Sequence, residues 1–408
     1  MIKMNGVNGM YNYAKKMKNV KKSAIRSVMA DASENGTVDY ISFASGFPDP
    51  EAIPQEKLEE AGHKILKENT YEILQYGSAQ GYKGLIESSK TFINRHEVVC
   101  TDEDDIIITT GSQQGLDLVS KIFCDEGDYV VVENPSYLGA LNSFKCNGAR
   151  LLGVSLEEDG VNLEELEESF KKHPKVFYTI PNFQNPTGVT TSLEKRKGIY
   201  ELAKKYNVVI LEDNPYGYLR ISGEEVPSIK SIDTDHIVIY AASLSKIISP
   251  GMRTGIICAH KDIISKLFMA KQSGDNHTNN LSQYMMDVFL RKTDMDAHIK
   301  HLQSIYARKC NYMLEMIQKY FHPSIHVIKP EGGMFIWFDL PEGISMPEFV
   351  QAAIKKHIAI VPGNEFMVDS TKPCQSIRMN FSAASMENIE KGIKILGELT
   401  YQFCEASK

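Results

Sequence analysis

The sequence is poor in the features that would place the protein in a membrane, outside the cell or on nucleic acid. Its apolar runs fall short of the roughly 18 residues that a membrane-spanning helix needs. The lysines near the N-terminus are not followed by the apolar core of a secretory signal. The seven cysteines form no CxxC pair and no Cys/His cluster. This pattern favours reduced thiols in a cytoplasm and argues against a metal site. With 45 basic and 52 acidic residues, the net charge of -7 gives no reason to expect a nucleic-acid partner.

The length and the changes of pattern predict more than one domain. The 408 residues are 42% apolar and 24% charged, an ordinary balance for a globular protein. We predict an N-terminal arm with part of a small domain over residues 1–50, a large domain over 51–290 and a smaller domain over 291–408. The arm is basic up to Asp31, and Ser23 is a candidate N-cap of a helix. It is too short for a winged-helix domain, so a solvated basic face is the favoured interpretation.

Continuous apolar runs predict a mostly parallel sheet in the large domain. Such runs are typical of strands that helices cover on both faces. Amphipathic helical stretches lie between some of them, such as 193–206, which has Ile199, Leu202 and Ala203 on one side. The fold class is therefore α/β. The seven predicted strands are 105–109, 129–133, 149–154, 175–180, 208–212, 237–241 and 255–259.

After about residue 290 the pattern changes to that of a smaller α+β domain. A helical stretch over 297–320 leads to an apolar run over 326–339 that is interrupted around Pro330–Gly333. This predicts two strands joined by a turn. Another strand over 376–381 and a final helix follow. We find no internal repeats and no low-complexity segment.

Polar residues with chemical potential follow several of the predicted strands. Ser112 opens an apolar helix, whose N-terminal N–H groups favour anions, although a simple N-cap explains it as well. Tyr137 can stack on a planar ligand or lie buried in the core. Asn185 offers an amide donor to a phenolic oxygen. Asp213 ends a buried strand and needs a cationic partner, either a protonated pyridine nitrogen or an ordinary salt bridge.

The other candidate residues are interpreted around the segment Ser243–Arg253, which contains Lys246 and Arg253. Lys246 lies just past a buried strand among small hydroxyl residues, where an amine can form an imine with an aldehyde, although most lysines simply point to water. Arg253 follows seven residues later, a spacing that can return its guanidinium to a phosphate held near Lys246. Arg378 in the last strand suits bidentate capture of a carboxylate, the alternative being an edge-strand arginine in water.

Five motifs and one arginine occur in a fixed order: GSQQ (111–114), PNFQNPTG (181–188), EDNPY (212–216), SLSK (243–246) and PGMR (250–253), followed by Arg378. Taken together, they resemble those of the class I/II aminotransferases, fold-type I enzymes that use pyridoxal 5′-phosphate (PLP). The resemblance extends from about residue 20 to the end and is closest to the 2-aminoadipate/kynurenine branch. Ser45-Gly46 replaces the more usual Gly-Gly before Phe47-Pro48.

The resemblance assigns a role to each candidate residue. Lys246 would attach the cofactor covalently, Asp213 would pair with the pyridine nitrogen, and Tyr137 would stack on the ring. Arg378 would bind the substrate carboxylate, with the backbone of Gly46 nearby. The remaining assignments are Asn185 and Tyr216 at the 3′-oxygen, Ser112, Gln113, Ser243, Ser245 and Arg253 around the phosphate, Tyr76 at the phosphate of the partner subunit, and Arg26 on an N-terminal helix facing the substrate side chain.

The resemblance implies an aminotransferase that acts by a ping-pong mechanism. The donor would be an aromatic, 2-aminoadipate-like or branched-chain L-amino acid, and the acceptor a 2-oxo acid such as 2-oxoglutarate. Tyr76 implies a homodimer, and the bonds before Pro135 and Pro186 are expected to be cis.

Three alternatives stay open at this point. A PLP-dependent lyase or synthase would use the same residues. A PLP-sensing transcription regulator would need a DNA-binding domain that residues 1–30 are too short to supply. A purely structural protein would not need Lys246, Asp213 and Arg253 together.

Overall fold

The structure is a computed structural model that describes residues 11, 13–14, 16–17 and 40–406. Ser23, the predicted N-cap, and Arg26, predicted to face the substrate, lie outside the described residues. Within them no helix is both long and apolar enough to cross a membrane.

The largest sheet of the described residues has eight strands in the order β2-β9-β8-β7-β6-β3-β4-β5. All seven predicted strands are present, and the short β5 is an addition at the edge that the sequence did not indicate. β9 runs antiparallel to both of its neighbours, while β8, β7, β6, β3 and β4 run parallel. The strands are β2 Asp104–Thr110, β3 Tyr129–Asn134, β4 Arg150–Glu157, β5 Gly160–Val161, β6 Val176–Thr179, β7 Val209–Asn214, β8 Val238–Ser243 and β9 Thr254–His260.

Helices cover both faces of this sheet, as the continuous apolar strands require. One apolar cluster includes Val131, Phe177 and Ile210 of the strands with Ile199 of a covering helix. A larger cluster holds most of the other core residues, and a small third one includes Trp337 and Phe366. The α-helices of the described residues are α1 Gln55–Glu68, α2 Thr70–Leu74, α3 Lys83–Ile93, α4 Ser112–Phe123, α5 Leu138–Cys146, α6 Leu163–Phe170, α7 Leu193–Tyr206, α8 Lys261–Gly274, α9 Asn280–Lys292, α10 Met295–Tyr320, α11 Met346–Lys355 and α12 Met386–Ala406.

Helix α7 shows how local sequence sets the limits of an element. Ser192 caps its N-terminus, where the hydroxyl accepts a hydrogen bond from the Lys195 N–H at 3.3 Å. Asn207 ends it in the left-handed conformation, with φ of 54°. The helix buries Ile199 and Ala203 against the sheet. The predicted span, 193–206, is confirmed.

The smaller α+β part is built on an antiparallel sheet with the order β10-β11-β14-β13. Its strands are β10 His326–Ile328, β11 Phe335–Asp339, β13 Val361–Pro362 and β14 Ser376–Asn380. A separate pair joins β1, Ile41–Ser42, to β12, Ile358–Ala359. Because β1 pairs with β12, the segment that follows β1 is held between the small sheet and the carboxyl edge of the large one.

Candidate active site

The parallel strands β8, β7, β6 and β3 are neighbours, so the loops after them meet at one edge of the sheet. These loops, or the strand ends themselves, carry Lys246, Asp213, Asn185 and Tyr137. Residues at the carboxyl ends of parallel strands form the usual ligand site of α/β sheets. The topology therefore gathers side chains that are far apart in the sequence.

Lys246 lies in the turn after β8 and points at the segment after β1. Its Nζ donates a hydrogen bond to the Gly46 carbonyl oxygen at 2.8 Å. Burial, together with the positive charges of Arg253 and Arg378, lowers the pKa of this amine to about 8. A lysine with this pKa is partly neutral near physiological pH, and a neutral amine is a nucleophile.

Asp213 is buried at the end of β7 with one carboxylate oxygen unpaired. Its Oδ2 accepts a hydrogen bond from the Tyr178 hydroxyl at 2.8 Å, whereas Oδ1 has no partner among the described residues. Burial raises the pKa of Asp213 to about 7, the Tyr178 hydrogen bond opposes this rise, and the negative charge of Glu133 adds to it. An orphaned buried oxygen is costly. It fits a protonated ring nitrogen, so the residues present suit a pyridine cofactor.

Asn185 connects two further predicted residues. Its Nδ2 donates to the Tyr216 hydroxyl at 3.4 Å, and its Oδ1 accepts a hydrogen bond from Arg378 Nη1 at 3.0 Å. Burial raises the pKa of Tyr216 well above its usual value, so this hydroxyl keeps its proton. The Asn185 amide thus links the Tyr216 phenol to the Arg378 guanidinium. The phenol can also face the oxygen of a ring.

Arg378 is a buried cation whose protein acceptors are neutral. It lies on β14 between the rings of Phe335 and Phe366, 4.3 and 4.8 Å from their centroids. Its Nη2 donates to the Ala44 carbonyl oxygen at 2.6 Å, and its Nε lacks a partner among the described residues. Burial lowers its pKa to about 10. A buried guanidinium held this way suits the carboxylate of a ligand.

The start of α4 is packed closely against Arg253. Gly111 precedes the helix with φ of 74°, and a Cβ added there would overlap Arg253 Nη2. A Cβ at Gly255 would lie 2.6 Å from the Ser112 nitrogen. The first N–H groups of a helix lack intrahelical partners and favour anions. The guanidinium beside them makes this turn a cradle suited to a phosphate.

The two predicted serines of the SLSK motif lie next to this region. Both Ser243 and Ser245 are buried, and the Ser245 N–H donates to the Ser243 hydroxyl at 3.3 Å. Ser112 is partly buried at the first position of α4. Their hydroxyls add donors at the end of β8 and the start of α4.

Gln113, predicted near the phosphate, has a side chain that contacts α5 and Tyr137. Its Nε2 donates to the Gly139 carbonyl oxygen at 2.9 Å and to the Ser143 hydroxyl at 2.7 Å. Its Oε1 accepts a hydrogen bond from the Tyr137 hydroxyl at 3.2 Å. Because the side chain is engaged with α5 and Tyr137, only the main-chain N–H of Gln113 remains for a phosphate.

Tyr76 lies outside this cluster of side chains. It follows α2, is 81% exposed and makes an edge contact with His277, the ring centroids being 6.0 Å apart.

Both expected cis peptide bonds, before Pro135 and Pro186, are present.

Sequence reasoning missed three aromatic contacts of the site. Tyr178 was assigned only to a strand, although its hydroxyl binds Asp213. Phe335 and Phe366 enclose Arg378. For Tyr178 the available sequence signal was a hydroxyl group within an otherwise apolar strand, which indicates a buried hydrogen-bond donor. For the two phenylalanines no local signal distinguished them from core residues.

Comparison with known proteins identifies the family of the chain. The family model for aminotransferase class I and II matches residues 38–396. The aromatic-amino-acid aminotransferase 1 of Thermococcus litoralis is 38% identical over 392 residues, covering 95% of this chain and 93% of that protein. The 2-aminoadipate transaminase of Thermus thermophilus is 35% identical, with 93% and 94% covered.

Solved structures agree with these matches. The kynurenine aminotransferase of Pyrococcus horikoshii, in complex with PMP, kynurenine as substrate and KYA as product, superposes with a TM-score of 0.91. It is 36% identical and the match covers 96% of this chain and 97% of that one. The chain belongs to the class I and II aminotransferases, PLP-dependent enzymes that transfer an amino group between an amino acid and a 2-oxo acid.

Proposed function

We propose that Lys246 attaches pyridoxal phosphate at this site and that the surrounding residues run transamination between an L-amino acid and a 2-oxo acid. The observation that carries this proposal is the orphaned Oδ1 of buried Asp213, at the same sheet edge as a lysine with a lowered pKa. When bound, pyridoxal phosphate supplies an aldehyde for the amine and a ring that withdraws electrons from the substrate Cα.

Lys246 has two duties in this proposal. Its neutral Nζ would hold the cofactor through the aldehyde. When released from it, the same Nζ would act as the base that takes the proton from the substrate Cα and later returns a proton. The lowered pKa, about 8, keeps a usable fraction of the amine neutral near pH 7.

Asp213, Asn185 and Tyr216 orient the ring and set its charge. The unpaired Oδ1 of Asp213 would accept a hydrogen bond from the ring nitrogen and keep that nitrogen protonated. Asn185 and the protonated Tyr216 hydroxyl, 3.4 Å apart, would hold the ring oxygen. Tyr137 would pack against the ring, and the cradle of Gly111, Ser112 and Arg253 would bind the phosphate, with Ser243 and Ser245 beside it.

Arg378 binds the α-carboxylate that both substrates share. Because donor amino acid and acceptor oxo acid carry the same group, one arginine serves both halves of a ping-pong reaction. The aromatic, 2-aminoadipate and kynurenine specificities named for the relatives support a donor that is aromatic or 2-aminoadipate-like, with a branched-chain donor as the third class. We take 2-oxoglutarate as the common acceptor, and Arg26 as the residue that would favour acidic or polar donor side chains.

We infer that the enzyme works as a homodimer in the cytoplasm. The side chains of Tyr71, Leu74 and Tyr76 on and after α2 are 74%, 77% and 81% exposed, which is unusual for such large apolar groups. In the proposal Tyr76 reaches the phosphate of the partner subunit. Mixing inactive Tyr76→Ala protein with inactive Lys246→Ala protein should then restore activity, because a hybrid dimer contains one intact site. Persistent inactivity of the mixture would refute the shared site.

The central experiment is the Lys246→Ala variant. It should lose turnover of amino acid with 2-oxoglutarate and the visible absorbance of bound pyridoxal phosphate. A panel of aromatic, acidic and branched-chain donors assayed with the wild-type enzyme identifies the substrate class. Multiple turnovers by Lys246→Ala would disprove the role of the lysine, and a wild-type enzyme that forms no glutamate would disprove transamination with 2-oxoglutarate.

A further inference from the structure

One buried carboxyl near the site has no part in the proposed chemistry. Glu133 in β3 is fully buried, and the donors to its carboxylate are neutral. They are the Thr179 hydroxyl, the Ile180 N–H at 3.1 Å and Gln184 Nε2 at 2.9 Å. Burial raises the pKa of Glu133 to about 7. A carboxyl that is costly to bury is expected to be retained for what its hydrogen bonds hold in place.

The Glu133 carboxylate holds Gln184, which in turn ties two loops together. Gln184 is buried in the loop between β6 and α7. Its Nε2 also donates to the Pro135 carbonyl oxygen at 2.9 Å, in the loop after β3. Its Oε1 accepts from the Thr187 N–H at 3.0 Å, and its own N–H donates to the Val189 carbonyl oxygen at 2.8 Å. Gln184 is therefore the centre of its loop.

Both of the connected loops carry proposed site residues. Asn185 directly follows Gln184 and accepts a hydrogen bond from Arg378 at 3.0 Å. Tyr137 comes two residues after Pro135. A displacement of the Gln184 side chain would move both loops, and with them the amide that holds the substrate arginine.

A neighbouring glutamate provides a natural comparison. Glu212 of β7 pairs in register with Thr179, is fully buried like Glu133, and burial raises its pKa to about 7 as well. Its carboxylate accepts hydrogen bonds from the Ile229 and Lys230 N–H groups at 3.0 and 2.8 Å. That segment contains no proposed site residue. The two carboxyls match in burial and differ in the segments that their hydrogen bonds hold, and Glu212 is also stabilised by the positive charge of Arg196.

We propose that Glu133 is a positioning residue for transamination, which through Gln184 fixes Asn185 and so the guanidinium of Arg378. The proposal rests on the proposed function of the site. Glu133 touches neither substrate nor cofactor in this scheme.

Glu133→Gln tests it with little change of volume. In glutamine an NH₂ group replaces one of the two carboxylate oxygens. That NH₂ group would face an N–H donor, either the Ile180 N–H or Gln184 Nε2, so one hydrogen bond is lost. We expect kcat/KM to fall by about 10²-fold, the effect of a misplacement of about 1 Å, with KM rising for both donor and acceptor. Glu212→Gln is the matched control and should leave kcat/KM near that of the wild type.

A second measurement does not depend on turnover. Trp337 is the single tryptophan of the chain and pairs in register with Arg378, so its fluorescence quenching reports binding of pyridoxal phosphate. The dissociation constant should rise about fivefold in Glu133→Gln, the equivalent of one neutral hydrogen bond, and stay unchanged in Glu212→Gln.

The outcomes separate this inference from the proposed function. Equal kinetics and equal cofactor affinity for the two glutamine variants would overturn the positioning role while leaving transamination intact. If Glu133→Gln does not fold, Gln184→Met cuts the same link from the loop and should show the same losses. Failure of both to fold, with Glu212→Gln folded, would make Glu133 a structural residue only. Absence of PLP-dependent turnover in the wild type would instead refute the proposed function.

Discussion

Replacing Lys246 by methionine in protein prepared without cofactor is expected to stabilise the fold at neutral pH. The pKa of Lys246 is lowered from 10.5 to about 8, mainly by burial. Each tenfold change in proton affinity corresponds to about 1.4 kcal/mol, so charging this amine inside the fold costs about 3 kcal/mol. Methionine carries no charge and has a similar shape, so it removes that cost.

The hydrogen bond of Lys246 reduces the gain. Its Nζ donates to the Gly46 carbonyl oxygen at 2.8 Å, and a bond of this kind contributes about 1 kcal/mol. Lys246→Met should therefore exceed the wild type by about 2 kcal/mol in free energy of unfolding at pH 7. The difference depends on pH in a defined direction. Between pH 8 and 10.5 the unfolded lysine binds a proton that the folded one does not, so wild-type stability rises with pH at about 1.4 kcal/mol per unit.

Urea unfolding of the cofactor-free proteins at pH 7, 8, 9 and 10 measures this difference. The advantage of Lys246→Met should shrink from pH 8 upwards and vanish by about pH 10, where the remaining cost of charging the amine no longer exceeds the lost hydrogen bond. Lys197→Met is the control, because Lys197 is exposed on α7 and hydrated in both states. A difference that stays constant from pH 7 to 10, or a wild type that is more stable at pH 7, would contradict the assignment of a buried, easily neutralised amine.

Three further changes test other parts of the site. Asp213→Ala should lower kcat by several orders of magnitude because the ring nitrogen would lose its proton; near-native kinetics would contradict it. Arg378→Lys should raise KM for both substrates by at least about tenfold, since a bidentate carboxylate contact becomes a single one, and an equal KM would place the carboxylate elsewhere. Gly111→Ala should weaken cofactor affinity because its Cβ would displace the Arg253 guanidinium; unchanged affinity in a fluorescence titration would exclude that cradle.

The sheet could be predicted because its signal is local. Strands such as β8 consist mainly of apolar residues and are buried along their whole length, and a run of this kind has few other stable environments. The span of α7 was predictable from the amphipathic spacing of Ile199, Leu202 and Ala203. Its caps, Ser192 and Asn207, are seen only in the structure. The two-residue β5 was missed because so short a strand carries no periodicity.

The arrangement of the site was predictable only in part. The parallel order of the strands brings Lys246, Asp213 and Asn185 to one edge without any detail of their side chains. What the side chain of Gln113 contacts was not predictable, because its partners lie 26 and 30 residues away on another helix. The link between Glu133 and Gln184 spans 51 residues and likewise leaves no trace in local pattern.

Asp213 and Lys246 both carry charges that lower the stability of the cofactor-free fold near neutral pH. Burial raises the pKa of Asp213 from 3.8 to about 7, so ionising this carboxyl removes stability as the pH rises from about 4 to about 7. Burial lowers the pKa of Lys246 to about 8, so the charged amine costs stability below that pH. Near neutrality the cofactor-free fold therefore bears unfavourable charges of both signs. Under the proposed function, a ligand with a protonated nitrogen, an aldehyde and a phosphate would remove each of these costs, so its binding energy would offset the instability of the cofactor-free site.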